Sequence, residues 1–108
     1  MIRHTYGPRE QWDLPGGGVH RGEPPHEAAR REAREELGVD LAEWSALGDV
    51  FERIDWKHDT LHCFRAEVAE LDLQIDRGEI AEARWFDRRR PPSPMGKYVR
   101  PILALVDA

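Results

Sequence analysis

Apolar side chains recur along this chain with two periods, one suited to helices and the other to strands. Over residues 26–37 the run HEAARREAREEL mixes small apolar and charged residues at helical spacing for about three and a half turns. Pro24 and Pro25 suit the first helical turn, where a missing N–H costs nothing, and Gly38 suits the position just past the last turn. With Glu32 at zero, Glu36 falls at roughly +40°, Glu35 at roughly −60° and Ala28 at roughly −40° around the axis. These carboxylates therefore share one face. Ala29, Ala33 and Leu37 form the neighbouring stripe, which predicts the face that packs on a sheet.

Strand-like runs follow. Residues 47–54 and 61–69 read as strands, with His62, Phe64, Ala66 and Val68 sharing one face of the second and a turn over residues 55–59 between them. Residues 83–86 predict a short strand whose Trp85 and Phe86 point to opposite sides. Tyr98, Val99, Ile102, Leu105 and Val106 return to helical spacing, so a C-terminal helix should cover the sheet's other face. Upstream of the first helix, Trp12, Asp13, Leu14 and Pro15 lead into Gly16, Gly17 and Gly18. Three glycines permit tight turns and leave carbonyls open to an ion or a phosphate; read alone, they are a glycine-rich turn.

Composition narrows the class. The 108 residues hold one modest core, and the chain is read as a single domain over residues 1–108. A net charge of −5 argues against a protein that tracks nucleic-acid backbones. An acidic protein still binds a nucleotide where a metal supplies positive charge. No apolar run approaches the ~20 residues that span a bilayer, and no charged-then-apolar leader opens the chain. Cys63 is the single cysteine, which rules out an internal disulfide framework. It reads as a buried strand thiol and suits a cytoplasmic protein.

The chemistry concentrates in residues 17–39, GGVHRGEPPHEAARREAREELGV, which fit G-x5-E-x7-R-E-U-x-E-E-x-G-U, with U apolar. The fixed positions are Gly17, Glu23, Arg31, Glu32, Ala33, Glu35, Glu36, Gly38 and Val39, and seven of these nine demand one residue type each. Clustered carboxylates raise one another's pKa unless a cation intervenes, and hard oxygen ligands select Mg²⁺ or Mn²⁺ over zinc. On composition alone the same helix would be a solvated, charge-laced surface. The full pattern, with LPGGG before it, weighs against that. It resembles the Nudix box, the metal-binding signature of hydrolases that split diphosphate bonds in nucleoside diphosphates linked to another moiety.

That resemblance implies an α/β fold, an α/β/α sandwich with a mixed central sheet, and assigns roles. Glu35 and Glu36 become principal metal ligands, and Gly17 offers its backbone carbonyl. Glu32 becomes a further ligand or the group that activates the attacking water, while Glu23 and Arg31 brace the helix. Residues 79–86 fit a second family habit, E-x-x-E-x-x-W-F, in which a loop glutamate serves as ligand or base. Glu79 is favoured over Glu82 because it lies deeper in the loop. Family members commonly carry Glu where this chain has His20, read here as an exposed loop residue.

Arg3, Arg9 and Trp56 are candidate substrate contacts, through phosphate and base respectively, against the plainer readings of surface arginines and a turn tryptophan. The proline that would mark ADP-sugar hydrolases is absent between Asp40 and Lys57. Only fourteen residues precede Pro15. Against the family, the second strand is therefore shortened to residues 1–5 and the first, N-terminal strand is missing. A misplaced start, a truncated form, or a strand lent by a partner would each account for this. The last predicts a homodimer that completes the sheet. The favoured expectation is a metal-dependent pyrophosphohydrolase of a small nucleotide. The other class is a non-catalytic nucleotide-binding or sensor module, or an inactive truncated form, because fold does not fix function.

Overall fold

The computed structural model describes residues 1–54, 57–68 and 73–107. In chain order the elements are β1 (Ile2–His4), α1 (Pro25–Leu37), β2 (Ser45–Ile54), β3 (Lys57–Arg65), β4 (Ile80–Ala83) and α2 (Val99–Val106). α1 starts where its prolines allow, with Pro24 extended at the N-cap (φ −65°, ψ 145°) and Pro25 inside the first turn. It stops at Gly38, which adopts the left-handed conformation at φ 69° and donates its N–H to Arg34 O at 3.0 Å, while Val39 reaches back to Ala33 O.

Two antiparallel pairs make up the β structure. β1 pairs with β4, placing Ile2 opposite Ala83 and Arg3 opposite Glu82. β2 pairs with β3 along a long hairpin that runs from Ser45 opposite Arg65 to Ile54 opposite Lys57, with an irregularity between Ala46 and Gly48. Parallel pairing among the described residues is a single bridge, Trp12 to Met95. α1 packs against β3 and α2 against β2. The molecule is thus an α/β fold of two helices on antiparallel strands.

β1 is short but held on both sides. Besides β4, Ile2 exchanges two backbone hydrogen bonds with Asp13, each 2.8 Å, which fixes the glycine-rich segment beside the strand. Ile2, Ile80 and Val99 are the fully buried large side chains, so this corner carries the tightest packing. Trp12 is buried against it, edge-on to Phe86 with ring centroids 4.9 Å apart, beneath the guanidinium groups of Arg3 and Arg84. Between the β1–β4 pair and the β2–β3 hairpin lies an open cleft of about 1040 Å³, lined by Ile2, Leu61, Cys63, Ala83, Trp85 and Val99 among others. Among the described residues β3 and β4 each pair on one side only.

Several boundaries differ from the sequence expectation. The last strand covers Ile80–Ala83 rather than residues 83–86, because its ladder is set by β1 and ends with Arg84 N–H donating to Met1 O at 2.9 Å. Trp85 then stands 64% exposed beyond the ladder. β3 begins at Lys57 and ends at Arg65, not 61–69, since pairing with β2 reaches residue 57 and stops where β2 begins. Lys57, His58 and Asp59 therefore belong to a strand instead of the expected turn, whose remaining positions, 55 and 56, lie outside the described residues. Cys63 is buried on β3, and burial raises its thiol pKa.

The helix face also needs correction. Ala28, Ala33 and Glu36 are the buried residues of α1, whereas Ala29 and Leu37 are half-buried. The inward stripe is rotated toward the carboxylates, so the expected acidic face is partly interior. The glycine-rich segment helps to cover it, with the Gly16 N–H donating to Glu36.

Candidate active site

Helix α1 presents its acidic residues to the glycine-rich segment at three different depths. Glu36 is 4% exposed. Its Oε1 accepts the Gly16 N–H at 2.8 Å, and among the described residues no cationic group pairs with it. Glu32 is mostly covered and Glu35 is half exposed, with side-chain exposures of 16% and 56%. Burial pushes the Glu36 carboxyl up to about 7; the Gly16 hydrogen bond opposes this, while the charges of Glu32, Glu79 and Glu35 reinforce it.

Arg31 organises the cluster. Its Nε and Nη2 grip both oxygens of Glu23 at 2.9 and 3.1 Å, a bidentate fork. Nη1 donates to Glu32 at 2.9 Å and to Glu35 at 3.3 Å, and Nη2 also donates to the Gly18 carbonyl at 2.8 Å. Arg31 beside it holds the Glu23 carboxyl at about 2, and the backbone N–H of His20 assists. One guanidinium thus ties the helix, the loop before it and three acidic side chains into a single unit. His20 itself is exposed.

Gly17 lies directly against Glu32: a Cβ at this position would collide with the Glu32 carboxylate. The absent side chain is what lets backbone and carboxylate share one small volume. Glu32, Glu35, Glu36 and the Gly17 backbone offer oxygen donors only, the set that suits a hard divalent cation. A carboxyl raised to about 7 by burial, and then by the charges of its acidic neighbours, fits such an ion. Among the described residues no three acidic, histidine or cysteine side chains come together closely enough to hold a metal ion, and Arg31 pairs with Glu32 and Glu35.

β1 and β4 bring in the distant partners. Thr5 N–H donates to Glu79 O at 3.0 Å, and Thr5 Oγ1 donates to Gly78 O at 2.8 Å, so the loop before β4 is held beside the end of β1. The charge of Glu79 adds to the rise of the Glu36 pKa. Glu82 instead pairs with Arg3 and Arg84, and these guanidiniums depress its pKa. Arg3 is thereby committed to Glu82 and the Trp12 face. Arg9 is exposed on the loop after β1, and Trp56 lies outside the described residues.

Burial, then the charges of Glu79, Glu36, Glu32 and Asp13, raise the pKa of the Tyr6 phenol, a residue that no local spacing marks in the sequence.

The NUDIX domain is matched over residues 1–106 of the chain. The chain belongs to the Nudix family. Its fold is similar to the crystal structure of the MutT NUDIX hydrolase from Burkholderia pseudomallei, with a TM-score of 0.84 and 27% identity over 97% of this chain and 84% of that one. The ADP-ribose pyrophosphatase of Mycobacterium tuberculosis is 51% identical over 46% of this chain and 24% of its own length. The 8-oxo-dGTP diphosphatase of Proteus vulgaris is 36% identical over 62% of this chain and 60% of its own length. The chain thus spans less than two thirds of either curated relative. Among the described residues no helix is long and apolar enough to cross a membrane.

Proposed function

We propose that this Nudix chain is a Mg²⁺- or Mn²⁺-dependent pyrophosphohydrolase that cleaves the diphosphate linkage of a small nucleotide by water attack at phosphorus. The observation that carries this reading is Glu36. It is buried and hydrogen-bonded by Gly16, and burial, then the charges of Glu32, Glu79 and Glu35, raise its carboxyl to about 7. A carboxylate cluster arranged this way is costly for stability alone and useful for catalysis. Glu32, Glu35, Glu36 and the Gly17 carbonyl would hold the ion, which when bound neutralises phosphate charge and acidifies water. Glu23 and Arg31 keep the helix and loop in register. Glu32 or Glu79 would take the proton of the attacking water.

Phosphate release from a panel of dinucleoside polyphosphates, nucleoside triphosphates and nucleotide sugars, with and without Mg²⁺, tests the reading. Metal-dependent release on at least one class is expected. Nucleotide binding without any turnover would favour the non-catalytic sensor instead. The relatives' names point to two different substrates, an ADP-sugar and an oxidised nucleoside triphosphate, so the panel must span both.

The cleft bears on the partner. β3 and β4 each leave one edge unpaired toward it among the described residues, and its walls are largely apolar. We assign a second copy of the chain to that opening, giving a homodimer that completes the sheet. The free, buried Cys63 thiol fits a reducing cytoplasm.

A further inference from the structure

Asp13 carries a half-buried carboxylate that the fold makes room for and leaves without a partner. Its backbone is locked in place. Asp13 and Ile2 exchange two hydrogen bonds of 2.8 Å, while Trp12 N–H donates to Pro94 O and Gly96 N–H to Trp12 O, both at 2.9 Å. Residues paired as Asp13 and Ile2 are project to the same side, so Asp13 shares a face with Ile2 and, two residues along β1, with His4. Trp12 points to the other side, where Arg3 and Arg84 lie over its ring. Ile2, His4 and Asp13 all line the cleft, together with Gly16, Gly17 and Glu32. A Cβ at Gly96 would overlap the Asp13 carboxylate, so glycine there supplies the space that the carboxylate fills. Among the described residues no hydrogen bond or ion pair reaches that carboxylate, and Lys97, next to Gly96, is committed to Glu52. On the same face His4 keeps a buried Nδ1 without a partner. Shielded polar groups are ordinarily paired, so this face carries hydrogen-bonding capacity that the fold leaves unused.

The chain itself sets the distance to the acidic cluster. Gly16, whose N–H binds Glu36, lies three residues beyond Asp13, and three residues span at most about 11 Å. A diphosphate held at Glu32 and Glu36 reaches its base across one ribose, a length of the same order. We propose that Asp13 is a specificity-determining, substrate-contacting residue that accepts the paired donors of a guanine-type base, N1–H and the 2-amino group. A carboxylate offers two acceptor oxygens and no donor, and guanine alone among the common bases presents two adjacent N–H donors on one edge. The inference rests on the pyrophosphohydrolase reading, because it needs a nucleotide at that place. β1 stands between Asp13 and β4, so the contact leaves the unpaired edge of β4 to the second copy.

Titration calorimetry with Mg²⁺ compares the α,β-methylene analogues of guanosine and adenosine diphosphate with methylenediphosphonate, which has no base. The unmodified protein should bind the guanosine analogue about tenfold more tightly than the adenosine one. Asp13→Asn keeps the shape but sets an amide donor against the base. It should remove that preference and leave methylenediphosphonate affinity and melting temperature unchanged. Equal affinity for the two nucleotides in the unmodified protein would overturn the proposal, and so would a preference that persists in Asp13→Asn. A loss that extends to the base-free probe, or that accompanies a lowered melting temperature, would assign Asp13 to the phosphate site or to the fold and overturn it equally. In each of these results the pyrophosphohydrolase reading stands on its own metal-dependent phosphate release. Binding of none of the three probes, with no nucleotide hydrolysed, would sink that reading and this contact together.

Discussion

Glu36 concentrates the conflict between stability and chemistry in this molecule. Its carboxyl rises from an ordinary 4.5 to about 7, chiefly through burial. Between those two values the folded chain holds a proton that the unfolded chain has released. Stability therefore falls as pH rises through that window, and the contribution is present in full only below it. Melting temperature recorded from pH 4.5 to 7.5 without divalent ions should decline for this reason, and Glu36→Gln should flatten the profile. Added Mg²⁺ should raise the curve most at its alkaline end, where the carboxylate is ionised. Glu36→Gln can still accept the Gly16 N–H but cannot supply charge. Turnover should drop by more than the roughly 10–100-fold typical of groups that merely support a metal ligand. Residual activity near that of the unmodified protein would remove Glu36 from the ligand set.

At the scale of elements, α1 and the loop before it behave as one piece because Arg31 spans them. Lys in place of Arg31 keeps the charge but loses the planar fork that holds both Glu23 oxygens while still reaching Glu32 and Gly18. Steady-state assays of Arg31→Lys should show activity lower by about 10–100-fold with circular dichroism unaltered. Gly38 ends the same helix in a left-handed conformation, and a Cβ there would crowd Gln74. Gly38→Ala should lower stability by about 1–2 kcal/mol, more than glycine's flexibility alone explains, which urea unfolding would measure. The helix ends were legible beforehand because prolines and glycine act locally. The rotation of the buried stripe toward Ala28 and Glu36 was not, since it depends on the loop that lies across them.

For the whole molecule, the proposed homodimer would use the cleft between the two strand pairs. A homodimer should persist on dilution in sedimentation experiments, and Trp85→Glu should weaken it, because Trp85 lines the cleft and stands largely exposed. A monomer at every concentration would remove the second copy from that opening.

What the residues determined by themselves was the box: its helix, its caps, the shared face of its carboxylates and the family they resemble. Each depends on spacing within a few turns, where chain connectivity leaves little freedom. The tertiary structure decided what spacing cannot. It separated Glu36 from Glu35 by burial and set the backbone of Glu79 against Thr5. It also gave Arg3 to Glu82. Those outcomes follow from β1 pairing with a segment nearly eighty residues away, and pairing over that distance is set by the packing of the folded chain rather than by any local pattern.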